Sequence, residues 1–376
     1  MSSPPRRLPP ERLVALDVFR GLTMAAMVVV NNPGSWEHVY GPLRHAAWHG
    51  WTPTDLVFPF FLFIVGVSLT LSTRTLGGFA PIARRAAIIF GFGLLLALFP
   101  YFAFARLRWP GVLQRIAVCY FIAAVVYRRV AADATGRSRP AMHLALITAV
   151  VLLGYWALMT LVPVPGGGTG DLSPEGNLAA WVDRALLPGR LWQRTWDPEG
   201  LLSTLPAVGT TLLGVLAGLW LQDGGPSSRA ARGLLVAGGG GLAAGAAWGL
   251  AFPINKSLWT SSYVLFTAGA AAVLFGGLLW LVDVRGVKRW TQPFVVLGVN
   301  ALTLFVLSGL LVKMMILIRV PGGNVGSIPL SEWLYELFYV PLASPYNASL
   351  LYALTHLAVL YGILAWMYRR RIFFRA

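Results

Sequence analysis

Long apolar segments alternate with short polar connections along the whole chain. Ten of these segments approach or exceed the roughly 20 residues that cross a bilayer, and none shows the period-two alternation of a half-buried strand. Inside a bilayer, only helices and closed barrels satisfy the polar groups of the backbone. The pattern therefore predicts an all-α polytopic membrane protein with about ten transmembrane helices. The predicted spans are 16–33, 54–73, 84–104, 110–127, 143–162, 201–221, 233–253, 258–282, 293–313 and 347–368.

The composition supports this interpretation and excludes an ordinary soluble domain. Of the 376 residues, 57% are hydrophobic and only 12% are charged, whereas soluble domains carry roughly 25% charged residues. Neither a repeat nor a shift in composition divides the sequence. We therefore expect a single transmembrane domain over residues 1–376, with a cytoplasmic tail at 1–15 and a basic cytoplasmic tail at 369–376.

The net charge of +16 is distributed as in a membrane protein, and we expect no nucleic-acid partner. Twenty of the thirty lysines and arginines lie in alternate connections, which is the positive-inside pattern of cytoplasmic loops. Both termini are therefore predicted to be cytoplasmic, and the long loops 34–53, 163–200 and 314–346 to face outward. These twenty residues are Arg6, Arg7, Arg12, Arg20, Arg74, Arg84, Arg85, Arg128, Arg129, Arg137, Arg139, Arg229, Arg232, Arg285, Lys288, Arg289, Arg369, Arg370, Arg371 and Arg375.

Two further segments have a simple structural interpretation. The loop 163–200 is too long for a plain connection and is rich in Trp, Arg and acidic residues, so we expect it to cover part of the molecule. The glycines 238–241 suggest a phosphate loop, but no strand precedes them and no Lys-Ser/Thr follows. Close helix packing through small residues explains them better.

The segment GPLRHAAWHGWTPTDL at 41–56 concentrates polar and aromatic side chains directly before an apolar span. Thr52 has the form of a helix N-cap, with Pro53 at the first position and Asp55 at the third, which predicts a capping box. This fixes Asp55 in the first turn of the second span. A carboxylate there can orient an imidazole and stabilise its charged form.

His45, Trp48 and His49 would share one face if their segment were helical. Three interpretations stay open. They fit an interfacial belt, with Trp at the headgroups and His in water. A metal site needs more ligands than this loop offers, even with His38. A general base needs only one well-placed imidazole, and Asp55 is a suitable partner.

Other polar residues lie deep in apolar segments or at their ends. Arg115 lies about five residues into a span, where a charge needs a cavity or a partner and indicates function by default. Asn300 fits interhelical hydrogen bonding equally well, and snorkelling accounts for Lys256 as well as ligand binding does. Asp197 and Glu199 lie at a helix entrance, where interaction with the helix dipole is a sufficient explanation.

Seven segments together resemble, in order, the transmembrane acyltransferases typified by lysosomal heparan-alpha-glucosaminide N-acetyltransferase. The resemblance covers roughly residues 11–310, and several segments in the right order are far more specific than one. The segments are RLVALDVFRG, VVVNNPG, LRHAAWHGWTPTDLVFPFFLFIVG, PGVLQRIAVCYF, DPEGLLSTLPAVGTTLLGVLAG, INKSLWTSSYV and LGVNAL.

The resemblance implies transfer of an acetyl group from cytosolic acetyl-CoA to the amine of an amino sugar across the membrane. It places His45, in the pattern H-A-x-W-x-G, at the proposed catalytic histidine of the family. It also places Asn31 near the acetyl group and Asp55 on the carboxylate of the same motif. The candidate residues are His45, Asp55 and Asn31 for catalysis, Arg115, Gln114, Asn255, Lys256 and Asn300 for acetyl-CoA, and Trp48, His49, Asp197 and Glu199 for the acceptor, with no metal.

We expect the protein to lie in a bacterial inner membrane, with its active-site loop facing the periplasm. Its expected partners are acetyl-CoA as co-substrate, an amino-sugar acceptor and the lipid bilayer, and a homodimer stays open. The alternative function is a permease for amino sugars or related solutes without acyl transfer, because ten helices suit transport equally well. Discontinuous helices in paired repeats would favour the permease, and the sequence shows no such pairing.

Overall fold

The computed structural model describes residues 13–72, 77–132, 138–321 and 326–374, so most of the predicted N-terminal tail lies outside the described residues. The described chain is predominantly helical. Its helices are α1 Val14–Asn31, α2 Val57–Leu71, α3 Phe79–Leu98, α4 Val112–Ala132, α5 Ser138–Leu161, α6 Leu178–Leu186, α7 Thr204–Gly224, α8 Ser228–Trp248, α9 Ser261–Leu278, α10 Gln292–Val299, α11 Ala301–Leu317, α12 Leu330–Leu334 and α13 Pro345–Arg369.

Shorter elements connect or extend these helices. In the segment 314–346, strands β1 and β2 form an antiparallel pair in which Val320 lies opposite Ile328. Neither this hairpin nor α6 was predicted. The short elements are 3₁₀-helices at Gly41–Leu43, Pro53–Leu56 and Phe104–Arg106, π-helical turns at Leu279–Val284 and Tyr335–Tyr339, and strands β1 Arg319–Pro321 and β2 Ser327–Pro329.

Helices occupy all ten predicted spans, which confirms the all-α class. Within the described residues, seven helices are long and apolar enough to cross a membrane: α1, α2 with its preceding turn, α3, α5, α7, α9 with its π-helical end, and α13. The pair α10 and α11 counts as an eighth span, although it bends by 81°. The other two, α4 and α8, are 21 residues long but less apolar. By length and composition the structure thus supports seven or eight spans rather than ten.

The glycine-rich segment of α8 packs directly on α9. A Cβ atom at Gly238 would lie 2.7 Å from the carbonyl oxygen of Gly269, and one at Gly241 would lie 3.1 Å from the Cα atom of Gly269. The two backbones therefore approach so closely that larger residues would force the helices apart. This confirms helix packing as the explanation for Gly238 and Gly241, whereas a Cβ atom at Gly239 or Gly240 would meet nothing within 4 Å.

Burial separates central helices from peripheral ones. In α7, 61% of the membrane-spanning window is buried, whereas the corresponding shares are 17% in α3 and 28% in α5. The exposed face of α5 carries Leu146, Val150 and Leu153. Apolar side chains that face outward along a whole helix are suited to lipid and not to water. The fold is that of an integral membrane protein.

Candidate active site

A cavity of about 660 Å³ opens where the C-terminal end of α1, the N-terminal end of α2 and the loop 163–200 meet. Its volume lies in the range of roughly 300–1,000 Å³ of small-molecule sites. We call it the central cavity. Its lining combines apolar side chains with a group of polar and charged ones. The apolar wall includes Met24, Met27, Phe58, Phe61, Ile116 and Phe305.

Asp55 is fixed at the mouth of the central cavity by the predicted capping box. Thr52 precedes the 3₁₀-helix that leads into α2, and both hydrogen bonds of the capping box are present. One carboxylate oxygen, Oδ2, accepts hydrogen bonds from the backbone N–H groups of Thr52 and Ala46, each at 3.0 Å. Asp55 is buried, so its orientation is set by these donors and its second oxygen, Oδ1, is left for another partner.

That partner is His45. The Nδ1 atom of His45 lies 2.6 Å from Oδ1 of Asp55, and the imidazole is about half exposed, with 47% of the side chain accessible, while the carboxylate is buried. A carboxylate on Nδ1 orients the ring and leaves Nε2 as the nitrogen able to exchange a proton with a ligand. The predicted proximity of these two residues is confirmed.

Lys256 completes the cluster from a distant part of the chain. Its Nζ atom lies 3.7 Å from Oδ1 of Asp55 and 3.0 Å and 3.1 Å from the two ring nitrogens of His45. Burial lowers the pKa of Lys256, while the charges of Asp55 and Glu199 oppose this shift. The structure thus places an imidazole, a carboxylate and an amine within direct contact of one another.

Asn255 holds the turn that carries Lys256. Its side-chain oxygen accepts a hydrogen bond from the backbone N–H of Leu258 at 2.9 Å, and its backbone N–H donates to Oγ1 of Thr260 at 3.1 Å. Its Nδ2 atom lies 3.3 Å from Nδ1 of His49. Asn255 does not line the central cavity, so its effect on a ligand there is indirect.

Arg108, which the sequence interpretation missed, lines the central cavity beside a pair of acidic residues. Its Nε and Nη2 atoms donate to the two oxygens of Asp197 at 2.7 Å and 2.5 Å, and Nη2 also donates to Glu199. Burial opposes the charge of Arg108, but the two carboxylates outweigh it and raise its pKa above the ordinary guanidinium value. The guanidinium also stacks 4.9 Å from the ring of Trp192.

The loop 163–200 covers the central cavity, as its length predicted. Trp192, Trp196 and Glu199 belong to its lining. Trp48 connects the loops 34–53 and 163–200, because its Nε1 donates to the carbonyl oxygen of Leu172 at 2.8 Å and its ring lies 5.0 Å from that of Trp196. Aromatic side chains thus form much of the cover.

The segment of His45, Trp48 and His49 is not helical, so the condition for a shared helical face is not met. Residues 44–52 form bends and irregular chain. His45 and Trp48 line the central cavity and His49 does not. Burial lowers the pKa of His49.

Besides Asn255, three other residues predicted to bind acetyl-CoA lie outside the lining of the central cavity. Arg115 is buried and donates to the carbonyl oxygen of Gly200 at 3.0 Å and to Oγ of Ser203 at 2.5 Å. Gln114 is also buried, and Asn300 lies at the bend between α10 and α11, where its Nδ2 donates to the carbonyl oxygen of Ile372 at 3.4 Å. Asp197, which was predicted to bind the acceptor, also lies outside this lining and accepts hydrogen bonds from Arg108.

Asn31 and Lys313 are two further polar residues in the lining of the central cavity. Asn31 is exposed at the end of α1. Lys313 donates to the carbonyl oxygen of Phe99 at 2.7 Å and to that of Leu96, so it satisfies carbonyl groups near the end of α3. In the part of the chain that the structure describes, no three His, Cys, Asp or Glu residues form a group suited to a metal ion.

Comparisons with known proteins identify the family to which the chain is similar. Residues 12–238, more than half of the chain, match the family model described as heparan-alpha-glucosaminide N-acetyltransferase, catalytic. The chain is 32% identical to heparan-alpha-glucosaminide N-acetyltransferase of Homo sapiens, over 79% of this chain and 52% of that protein. It is also 32% identical to the Mus musculus protein of that name, over 80% of this chain and 54% of that protein.

The chain thus spans about half the length of the curated relatives it matches. The matched residues include the histidine, the carboxylate and most of the cavity wall described above. The chain belongs to the heparan-alpha-glucosaminide N-acetyltransferase catalytic family.

Proposed function

We propose that this protein is a membrane acetyltransferase that moves an acetyl group from cytosolic acetyl-CoA to the amine of an amino sugar on the periplasmic side. The observation that carries the proposal is the contact of His45 with Asp55 and Lys256 at the mouth of the central cavity. Family membership supports the acyl chemistry, and the wide cavity supports a large donor.

The reaction joins the acceptor nitrogen to the carbonyl carbon of the thioester and breaks the carbon–sulfur bond. His45 acts as the general base that takes a proton from the attacking amine and returns it to the leaving CoA sulfur. Asp55 orients the ring and stabilises its charged form. Lys256 and the amide of Asn31 supply positive charge and a donor for the carbonyl oxygen as it becomes negative. His45 as a covalent acetyl carrier is the two-step variant of the same chemistry.

The residues of the central cavity fit acetyl-CoA. The apolar wall suits the uncharged pantetheine arm, and three cationic side chains, Arg108, Lys256 and Lys313, lie among the described lining residues for the anionic end. Arg108 and Lys313 donate to protein acceptors, and Lys256 contacts Asp55 and His45. Trp48 and Glu199, which also line the cavity, are proposed to contact the acceptor.

The remaining predicted residues are proposed to act indirectly or at the edges of the site. Asn255 positions Lys256, and Arg115 supports the turn at residues 197–203 that holds Arg108. His49 bonds to Asn255 from the loop of His45. A homodimer stays a prediction.

The proposed orientation rests on the arginine clusters, which place the loops of His45 and of residues 163–200 on the side opposite the cytoplasm. The membrane is proposed to be a bacterial inner membrane. In it, this orientation places the active site on the periplasmic side. The donor then reaches the cavity through the bundle, and the acceptor approaches from outside.

The experiment uses purified protein in sealed vesicles, with labelled acetyl-CoA on one side and glucosamine on the other. A transferase yields labelled N-acetylglucosamine only when both substrates are present. Absence of labelled product with protein in either orientation would contradict the proposal.

A permease is the second candidate, and one observation favours it. The pair α10 and α11 is bent by 81°, and discontinuous helices are typical of transporter binding sites. Such sites normally use two broken helices, whereas the described residues contain a single broken helix, formed by α10 and α11. The same vesicles separate the two functions, because a permease moves intact labelled glucosamine without acetyl-CoA.

A further inference from the structure

A second cavity, of about 970 Å³, lies beside the central cavity, between the segment that follows α1, the helix α12 with its π-helical turn, and α13. We call it the acidic cleft. None of its charged residues was singled out from the sequence. Its chemistry is carried by Trp36, Glu37, Glu332, Tyr335, Glu336 and His356.

The acidic cleft has the opposite charge to the protein as a whole. The chain carries 30 Lys and Arg against 14 Asp and Glu, yet three glutamates and neither a lysine nor an arginine occur among the described residues that line the cleft. Glu332 and Glu336 are exposed on consecutive helical turns. A cavity that concentrates carboxylates in a strongly basic protein attracts a cation and repels an anion such as CoA.

Aromatic side chains form the rest of the wall. Tyr335 packs edge-on against Tyr352 with ring centroids 5.9 Å apart, and the ring of Tyr335 lies against Gly34, where no side chain would fit. Trp36 is 69% exposed at the rim. Aromatic faces next to carboxylates are the surroundings that ammonium groups prefer, and they also offer an apolar surface to the C–H groups of a sugar ring.

An unpartnered side chain at the floor points independently to a polar ligand. His356, on α13, is 6% exposed, and its Nε2 atom is buried without a hydrogen-bond partner among the described residues. His356 belongs to the lining of the acidic cleft. A buried ring nitrogen without a partner is costly unless a ligand or water satisfies it. A hydroxyl group of a sugar can donate to it or accept from it.

The floor of the cleft is held in place by reciprocal hydrogen bonds. The backbone N–H of Ser35 donates to Oγ of Ser349 at 3.1 Å, and that hydroxyl donates to the carbonyl oxygen of Ser35 at 3.0 Å. The N–H of Gly34 also donates to the carbonyl oxygen of Ser349 at 3.2 Å. The segment after α1 is thereby fastened to the N-terminal turn of α13.

The acidic cleft and the central cavity share a wall. Asn31, Asn32 and Val312 line both. Asn32 is buried and anchored to the carbonyl oxygen of Val28 at 2.5 Å, whereas the side chain of Asn31 makes no hydrogen bond within the described residues and is exposed. A ligand in the cleft therefore has only the end of α1 between it and the cavity that contains His45.

We propose that the acidic cleft is the acceptor site, where a primary ammonium sugar binds through Glu332 and Glu336 with its ring on Tyr335 and Trp36. This inference rests on the proposed acetyl transfer and names the route by which the acceptor reaches it. The ammonium gives one proton to solvent as it leaves the glutamates, and the neutral amine passes Asn31 to the thioester, where His45 takes its second proton during attack and returns it to the CoA sulfur. The acetylated product, which has no charge, is no longer held by the glutamates. Charge loss thus favours product release.

The test is calorimetric binding of glucosamine, N-acetylglucosamine and glucose to detergent-purified protein, at a pH where the amine is protonated. Wild type should bind glucosamine more tightly than the two uncharged sugars. The double variant Glu332→Gln, Glu336→Gln should weaken glucosamine binding by about tenfold or more, since it removes the charge of both hydrogen-bond acceptors of the ammonium group. Binding of acetyl-CoA should be unchanged.

Two further variants keep this result interpretable. Glu175→Gln makes the same chemical change at an exposed acid of the loop 163–200, outside both cavities, and should bind glucosamine like wild type. The double variant Glu332→Asp, Glu336→Asp keeps the charge and should recover most of the binding. Equal affinity for glucosamine in wild type and the double glutamine variant, with equal melting temperatures, would overturn the inference.

Kinetics separate this inference from the proposed function. If KM for glucosamine is higher in the double glutamine variant and kcat at saturation is not lower, both the acceptor site and the transferase function stand. If wild type transfers acetyl and the variant has an unchanged KM, the acceptor site is wrong and the transferase stands. If wild type transfers none but binds glucosamine through the two glutamates, the cleft stands as a binding site and the transferase fails.

Discussion

Lys256 and His45, which are 211 residues apart in sequence, meet with the lysine Nζ atom 3.0 Å from Nδ1 and 3.1 Å from Nε2 of the imidazole. The amine therefore faces the edge of the ring that carries both nitrogens. Asp55 lies next to both side chains. The carboxylate of Asp55 is thus shared by two basic side chains, and the charge of Glu199 also acts on Lys256.

Asp55→Asn should reduce acetyl transfer by less than loss of His45 and by more than loss of His49. The amide keeps one oxygen for the capping box but loses the negative charge that orients the ring. It also leaves one buried donor without an acceptor, which costs about 1–3 kcal/mol, so the melting temperature should fall. The measurement is kcat/KM together with thermal unfolding. Activity equal to wild type would remove the orienting role.

The capping box shows what local sequence can predict. Thr52 and Asp55 are three residues apart, so their interaction depends only on the start of one helix, and the prediction was correct. The proximity of His45 followed because its loop enters directly above that turn. A shared helical face for His45 and His49 did not form, since residues 44–52 are bends and irregular chain.

Contacts between distant segments could not be predicted in this way. Arg108 lies in an irregular connection, and only the folded loop 163–200 brings Asp197 to it. The sequence signal that could have identified Arg108 was a charged residue beside Trp109, in the connection between two apolar spans. Likewise, no proline marks the bend at Asn300, where Gly298 lies against the backbone of Asp17 in α1. Tertiary packing sets these features.

Arg115 should contribute more to stability than to donor binding, although the sequence alone predicted a ligand-binding role. Its guanidinium donates to Gly200 and Ser203 and stacks 5.2 Å from the ring of Trp259. We expect Arg115→Gln and Arg115→Lys to lower the melting temperature while acetyl-CoA affinity stays near wild type, measured by thermal shift with and without acetyl-CoA. A variant that melts normally but loses acetyl-CoA binding would restore the ligand role.

Asp183 should make stability depend on pH. Burial raises the pKa of Asp183 from 3.8 to about 7, although its carboxylate accepts a hydrogen bond from Leu201. The folded protein therefore keeps this proton where the unfolded chain has lost it, so stability decreases as pH rises from about 4 to about 7. Asp183→Asn removes this dependence, and its melting temperature relative to wild type should be higher at about pH 8 than at about pH 5.

The control for Asp183 is Asp171→Asn. Asp171 is exposed, and hydrogen bonds from Ser173 lower its pKa below 3.8, so it is charged throughout that pH range. The control variant should follow the pH trend of wild type. An Asp183→Asn variant that also follows the wild-type trend would show that Asp183 does not titrate in this range.

The topology predicts which single cysteines an impermeant maleimide labels from outside. In a Cys119→Ala background, cysteines at His45, Trp181 and Asn347 should react from the periplasmic side, because the arginine clusters place these loops opposite the cytoplasm. Val287, exposed between α9 and α10, is the control that should react only after permeabilisation. Labelling of the His45 loop from the cytoplasm alone would reverse the orientation.

The comparison of His45→Ala with His49→Ala tests the central claim most directly. His45 contacts Asp55 and lines the central cavity, whereas His49 does neither, and a general base contributes about 10²-fold to 10⁴-fold in rate. The measurement is the rate of labelled acetyl transfer from acetyl-CoA to glucosamine, with melting temperature and acetyl-CoA binding measured on the same preparations. We expect His45→Ala to lose about 10²-fold or more in rate with both other properties near wild type, and His49→Ala to lose far less. Normal transfer by His45→Ala would contradict the account.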